Sequence, residues 1–208
     1  MDELIDVRDE RGERTGETIL KSEAHRRGVW HRCFHCWIFG SDETGPYVLA
    51  QRRAAGKDTW PGYLDVTAAG HLAAGEETLD GLRELEEELG LRVEPGRLIP
   101  LGTRRVELEI PAGVDREFHD VFLLRDDVQP QGLRLQKEEV ESVVRIALEA
   151  LERLVDEGSA PAREYPQGDA FDTTVRPEDF VPHMEDYLRL VNRAVRRALA
   201  GEDPGKVF

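Results

Sequence analysis

Hydrophobic and polar positions alternate, bunch and then change period along the chain, and each change predicts an element. Glu3 to Val7 and Thr18 to Leu20 flank the polar, glycine-containing stretch DERGERTG, a pattern that predicts a hairpin. From Val29 to Phe39 the bulky residues Val29, Trp30, Phe34, Trp37, Ile38 and Phe39 crowd one segment, which predicts a buried strand. YVLAQRR and LDVTAAG read as two further short strands on either side of the loop AAGKDTWPGY. Between Thr78 and Leu89 the period changes: Leu79, Leu82, Leu85 and Leu89 recur every three or four residues, predicting a helix that Gly90 stops. RVEPGRLIPLGTRRVELEIPAG and EFHDVFLLR supply more strand-like segments, and VVRIALEALERLV passes from strand into helix. DEGSAPAREYPQGDAFDTT is polar and rich in Gly, Pro and Ala, so a long loop or mobile lid is expected there. Phe180, Met184, Leu188, Val191, Val195 and Leu199 lie at helical spacing and predict an amphipathic C-terminal helix. The order of elements points to an α/β layered domain with a mixed sheet. The expected organisation is a single domain over residues 1–208, with a β extension over 1–26, a core over 27–155 and a loop plus C-terminal helix over 156–208.

Charge narrows the function. The chain carries 28 Lys and Arg against 43 Asp and Glu, a formal net charge of −15. Nucleic acid is therefore not an expected partner, because binding a polyanion needs a basic face. Phosphate chemistry of any kind would have to recruit cations. No apolar run reaches the roughly 18 residues that span a bilayer, and the opening MDELIDVRDERGER has acids where a secretory signal is basic and apolar. The expectation is a cytoplasmic protein without a membrane partner. Cys33 and Cys36 form a CxxC beside His31 and His35, which invites a zinc or redox reading. On a strand, however, positions i and i+3 point to opposite faces. No second CxxC or HxxxH follows, so small buried hydrophobes are expected instead.

The chemistry is concentrated after Gly70. On the predicted helix Glu84, Glu87 and Glu88 stand at i, i+3 and i+4, three carboxylates on one face with the leucines opposite, so the carboxylates are expected to point outward. Such a group repels itself unless a hard divalent cation sits among it, Mg2+ or Mn2+ being suited to oxygen ligands. A plain solvated face is the alternative. The preceding AAGHLAAGEE, with Gly70, Glu76 and Glu77, can fold back over the helix and lend backbone carbonyls, and Arg83 is spaced to pair with Glu87.

The run of Gly70, five residues, Glu76, then Arg83-Glu84-Leu85-x-Glu87-Glu88-x-Gly90-Leu91 resembles the signature of the Nudix hydrolases. One departure stands out: six residues separate Glu76 from Arg83, one fewer than the family's usual interval. The resemblance implies a Nudix-type α/β/α sandwich with a mixed β-sheet, carrying an N-terminal hairpin and a C-terminal helix. It implies hydrolysis of a diphosphate linkage in a small molecule by attack of water at phosphorus, with Mg2+ or Mn2+ held by Glu84, Glu87, Glu88 and Gly70. Glu87 and Glu88 are the implied catalytic helix residues. The base is either a helix glutamate or one from the later segment Gln136-Lys137-Glu138-Glu139, where Glu139 is favoured over Glu138. Arg52, Arg53, Lys57 and Arg83 are the candidate substrate contacts, solvated surface cations being the alternative for the first three.

Within the superfamily, EAHRRGVWHRCFHCWIFG and LAQRRAAGKDTWPGYLDVTAAGH are similar to isopentenyl-diphosphate isomerases and to hydrolases of the same layout. In the isomerases an essential cysteine precedes the Gly-His pair, and here that position is Ala69. His25, His31, His71, Asp115 and Glu117 approximate isomerase metal positions and are expected to be a vestige. Hydrolysis is the expected chemistry, with an isomerase-like enzyme and a catalytically inactive ligand-binding module as alternatives. Trp60, Phe118 and Phe122 either stack a base or pack in the core, packing being favoured for the two phenylalanines. The C-terminal segment is expected to cover the site or to form a homodimer contact.

Overall fold

The structure, a computed structural model, describes residues 2–182 and 184–208. The expected hairpin forms as β1 (Leu4–Arg8) and β2 (Arg14–Leu20), a small sheet of its own. It leads into α1 (Lys21–Arg27), a helix that hydrophobic periodicity did not reveal because only Ala24 and His25 are buried on it. Gly28, left-handed at φ 63°, ends it.

The main sheet is built from β3 (Trp30–Asp42), β4 (Gly45–Arg53), β7 (Leu98–Ile110), β8 (Gly113–Arg125), β9 (Val140–Ala147), β10 (Ala160–Pro166) and β11 (Phe171–Val175), with the short β5 (Leu64–Asp65) and β6 (Ala68–His71) attached to β4 and β3. Across it the order is β11-β10-β9-β4-β3-β8-β7, and the β3–β8 pair is parallel while the others are antiparallel. The expected mixed sheet is thus present. Both faces are covered. Trp37, Phe39, Val48 and Val144 meet Leu151 of α3 (Leu148–Glu157) and Leu188 and Val191 of α4 (Met184–Leu199) on one side. Phe34, Cys36, Ile38 and Leu49 meet Leu85 and Leu89 of α2 (Arg83–Leu89) on the other. Double burial is why β3 is hydrophobic at nearly every position rather than at alternate ones. Cys33 and Cys36 fall on its opposite faces, as their spacing implied, and both are free and buried. Phe118 and Phe122 are core residues.

The structure corrects three expectations. The segment read as a loop or mobile lid is the β10–β11 hairpin, paired from Ala160↔Val175 to Glu164↔Phe171 and joined to β9 through Arg163↔Arg145. Its polarity disguised it: β11 is the sheet's edge, where exposed polar residues are tolerated, and Pro161 and Pro166 lie near the ends of β10. The C-terminal helix begins after Phe180, which packs in the core from outside it, and the Met184 side chain lies outside the described residues.

The third correction concerns Thr78 to Leu89. Thr78–Leu82 is a 3-10 turn, and the α-helix proper starts at Arg83. A 3-10 turn rises about 2.0 Å per residue against about 1.5 Å in an α-helix, so its five residues reach about as far as six or seven α-helical ones. The tighter winding absorbs the missing residue between Glu76 and Arg83. It also changes the phase, which is why Leu79 is exposed while Leu85 and Leu89 are buried. Gly81 lets this turn lie on Phe34, since a Cβ there would stand 2.4 Å from Phe34 Cβ. Gly81→Ala is accordingly expected to destabilise the fold by about 1–3 kcal/mol through overpacking, read as a lowered midpoint in urea unfolding with an unchanged slope.

Candidate functional site

Glu84 and Glu88 do not point outward as the helical wheel suggested. Both are buried, and of the three carboxylates Glu87 alone is exposed. The helix is pressed against β6 so closely that a Cβ on Gly70 would lie 1.9 Å from Glu84 Oε1. Glycine is required there because the Glu84 carboxylate occupies the space of a side chain. Glu88 is held by Gln51 Nε2 at 3.1 Å and by the Ala69 backbone N–H at 3.2 Å, both donating to Oε2. Burial, reinforced for Glu88 by the charge of Glu84 and for Glu84 by that of Glu87 against the pull of Arg83, raises Glu84 to about 7 and Glu88 to about 8. Hard oxygens whose charged forms are strained by burial make a donor set suited to Mg2+ or Mn2+.

Arg83 serves this group from within. Its guanidinium donates to Glu76 Oε1 at 3.0 Å, to the His71 carbonyl at 2.8 Å and to Glu87 Oε2 at 3.4 Å, and it also contacts Glu84. The loop after Gly70 is thus folded back over the helix, as expected, and the fork is spent on positioning the loop and the carboxylates.

A second cluster lies beside the first and follows from strand register. β3–β8 pairing sets His31 beside Glu117 and Cys33 beside His119, and β3–β6 pairing sets Cys33 beside His71, so all of these share one face. Asp115, two residues before Glu117, joins them, and α1 delivers His25. Glu117 Oε1 stands 3.4 Å from His31 Nε2, 3.2 Å from His71 Nε2 and 3.0 Å from the Cys33 thiol, while its Oε2 is 2.6 Å from His119 Nε2. Asp115 Oδ1 lies 3.4 Å from His25 Nε2 and 3.6 Å from His31 Nε2. The positions expected to be a vestige therefore converge: the ligand atoms of His25, His31, His71 and Glu117 all lie within 4.8 Å of one another. His25 Nε2, His31 Nε2, His71 Nε2 and Asp115 Oδ1 are buried and make no well-formed hydrogen bond. Three orphaned buried imidazole nitrogens beside the Glu117 carboxylate fit a transition-metal ion, for which imidazole and carboxylate are common ligands. Burial pushes His71 down to about 3 and also lowers His25, while Glu117 and Asp115 raise His31 against its burial. Burial opposes the charge on Glu117 as well, but its hydrogen bond with His119 and the nearby imidazoles of His31 and His71 win and hold it well below the usual carboxylate range.

Both clusters open on one cavity of about 920 Å³, which Arg53, Lys57, Glu87 and Glu139 also line. Trp60 lines it too, half-buried, edge-on to Tyr63 at 5.5 Å and left-handed at φ 50°. Arg52 is a correction to the candidate phosphate contacts. Alternation along β4 turns it away from Arg53, and it forms a bidentate pair with Glu164 at 2.6 and 2.8 Å outside the cavity. Arg53 faces the cavity but donates to Asp65 at 2.9 Å and to the Thr59 carbonyl. Lys57 is paired with Glu139. What the sequence missed most is the completeness of the histidine cluster; its signal was the regular recurrence of His and acid at pairing positions, legible only once the register is known.

These features define an α/β/α domain whose working residues are carboxylates and imidazoles gathered at one cavity. Residues 29–167 match the NUDIX domain. The chain is 34% identical over 205 residues to an uncharacterized Nudix hydrolase of Clostridium acetobutylicum, covering 93% of this chain and 97% of that protein. It is 32% identical over 131 residues to the isopentenyl-diphosphate Delta-isomerase of Kocuria rhizophila, covering 62% of this chain and 71% of the isomerase. Among solved structures, a crystal structure from Deinococcus radiodurans aligns over 90% of this chain and 98% of that one with a TM-score of 0.56 at 22% identity, a likeness of fold. The chain belongs to the Nudix hydrolase family.

Two outcomes follow from the geometry. Because Glu84 and Glu88 are raised in the folded state, the stability associated with their neutral forms is fully present below the unfolded value near 4.5 and is lost as pH rises through about 7 and about 8. The metal-free protein should therefore melt at a lower temperature at pH 8.5 than at pH 6, and Mg2+ or Mn2+ should recover more of the loss at pH 8.5, measured by scanning calorimetry. Gly70→Ala, which displaces Glu84, should weaken Mn2+ binding at least about tenfold in calorimetric titration, about 1.4 kcal/mol.

Proposed function

We propose that the protein is a divalent-metal-dependent hydrolase that cleaves a diphosphate linkage in a small molecule, such as a nucleoside diphosphate joined to another moiety, by attack of water at phosphorus. The observation that carries this reading is the buried Glu84–Glu88 pair closed over Gly70, carboxylates whose ionised forms call for cations beside them. Glu84, Glu87 and Glu88 would hold the metal, with the Gly70 backbone beside them. When bound, Mg2+ or Mn2+ supplies the charge that neutralises the phosphates and acidifies a water. Arg53, on the cavity wall, orients the phosphate oxygens. Arg83 keeps Glu76, Glu84 and Glu87 in place while substrate enters. Glu139 accepts the proton that the attacking water gives up. Trp60 borders the space left for the organic part of the substrate, where a planar group would find an aromatic surface.

A second reading, an isomerase-like enzyme, is favoured by one observation, the convergence of His25, His31, His71 and Glu117. Ala69 weighs against it, because the isomerases' cysteine is missing from the strand that faces the cluster. The buried Cys33 thiol, which burial raises well above its ordinary value and which donates to Glu117, is a poor replacement.

The test is to incubate the protein with Mg2+ or Mn2+ and a panel of small diphosphates and to follow release of phosphate or monophosphate. Turnover is expected, and Glu87→Gln or Glu88→Gln should lower kcat by roughly a hundredfold or more. Conversion of isopentenyl diphosphate to its allylic isomer without hydrolysis would replace the hydrolase by the second reading, and the absence of both turnover and calorimetric metal binding would leave a ligand-binding module.

A further inference from the structure

The lysine that the sequence offers as a phosphate contact and the glutamate that it offers as a base are bonded to each other. Lys57 Nζ donates to Glu139 Oε2, with the two side chains 22% and 35% exposed. The backbone beneath them is tied at every step. The Lys57 N–H donates to the Ala54 carbonyl at 3.1 Å, and the Ala54 N–H to the Glu139 carbonyl at 2.9 Å. The Glu139 N–H donates in turn to Gln136 at 2.9 Å, and the Gln136 N–H to the carbonyl of Glu88 at 3.0 Å. One hydrogen-bonded chain thus fixes three segments against each other: the loop carrying Lys57, the segment carrying Glu139 and the last turn of α2. Lys57 and Glu139 are both near enough to Glu88 for their charges to bear on it.

The geometry points to Lys57 as the positioning residue for Glu139: its ammonium group holds the Glu139 carboxylate in the cavity. Without that cation Glu139 loses its hydrogen-bond partner in the cavity and gains by rotating away into water, where a base is out of reach of the attacking water. Arg53 cannot take over the task, being committed to Asp65 and Thr59. The inference rests on the hydrolase reading above, with Glu139 as the base.

Steady-state kinetics with the best diphosphate of the panel at saturating Mg2+ test it, on the wild type, Lys57→Met, Lys57→Arg, Glu139→Gln and the double variant Lys57→Met/Glu139→Gln, with a thermal melt of each. Lys57→Met should lower kcat about ten- to a hundredfold and leave KM within about twofold. Lys57→Arg should restore most of kcat, and in the Glu139→Gln background Lys57→Met should cost nothing further. A raised KM with unchanged kcat would make Lys57 a substrate contact and overturn the inference. Multiplying losses in the double variant would do the same, because the two residues would then act independently. If the wild type turns over and Glu139→Gln keeps full kcat, the inference falls while the hydrolase reading stands; a wild type silent on the whole panel overturns both.

Discussion

The site depends on carboxylates that are brought out of water side by side. Ionised carboxylates lose hydration when buried, and neighbouring ones repel, so an isolated pair like Glu84 and Glu88 is tolerated only if protons or cations fill in. Their surroundings share that work. Arg83 supplies positive charge from the helix itself, Gln51 and the Ala69 N–H donate to Glu88, and Lys57 approaches with Glu139. Gly70 is part of the same constraint, because any side chain there would push Glu84 out of the pair.

The sheet converts this local demand into a cavity with two halves. β6 carries Gly70 under the helix and His71 beside β3, so a single short strand takes part in both the carboxylate group and the histidine group. β8, parallel to β3, brings Asp115, Glu117 and His119 up from a distant stretch of chain. The cores on the two faces hold these strands in register, and a slip of β3 by one residue would turn His31 to the other face. Acid that counts as surface charge in the composition is, at these few positions, interior and organised.

Much of the architecture was legible in the sequence. Strands β3, β4, β8 and β9 carry enough apolar residues to be found by pattern, and Leu85 and Leu89 locate the helix that presents the glutamates. Where pattern failed, the reasons differ. α1 has no apolar stripe to detect. The β10–β11 hairpin gains its place from main-chain pairing with β9, which polar side chains do not advertise. The Thr78–Leu82 turn reads as α-helix because leucine spacing cannot separate 3.0 from 3.6 residues per turn over so short a stretch. Burial of Glu84 and Glu88 was hidden because a helical wheel assigns faces without knowing what lies against them, and β6 lies against the face taken for solvent.

By itself the sequence determined the family signature, the presence of three glutamates at helical spacing, the need for external cations implied by a net charge of −15, and the alternation of layers. Such features are local or additive, and local spacing suffices to express them. Tertiary structure alone decided that Arg52 leaves the cavity for Glu164, that Lys57 joins Glu139, and that His25, His31, His71 and Glu117 meet at one point. Those outcomes turn on strand register and on which partner lies nearest in space, and both are set by the packing of segments far apart in the chain.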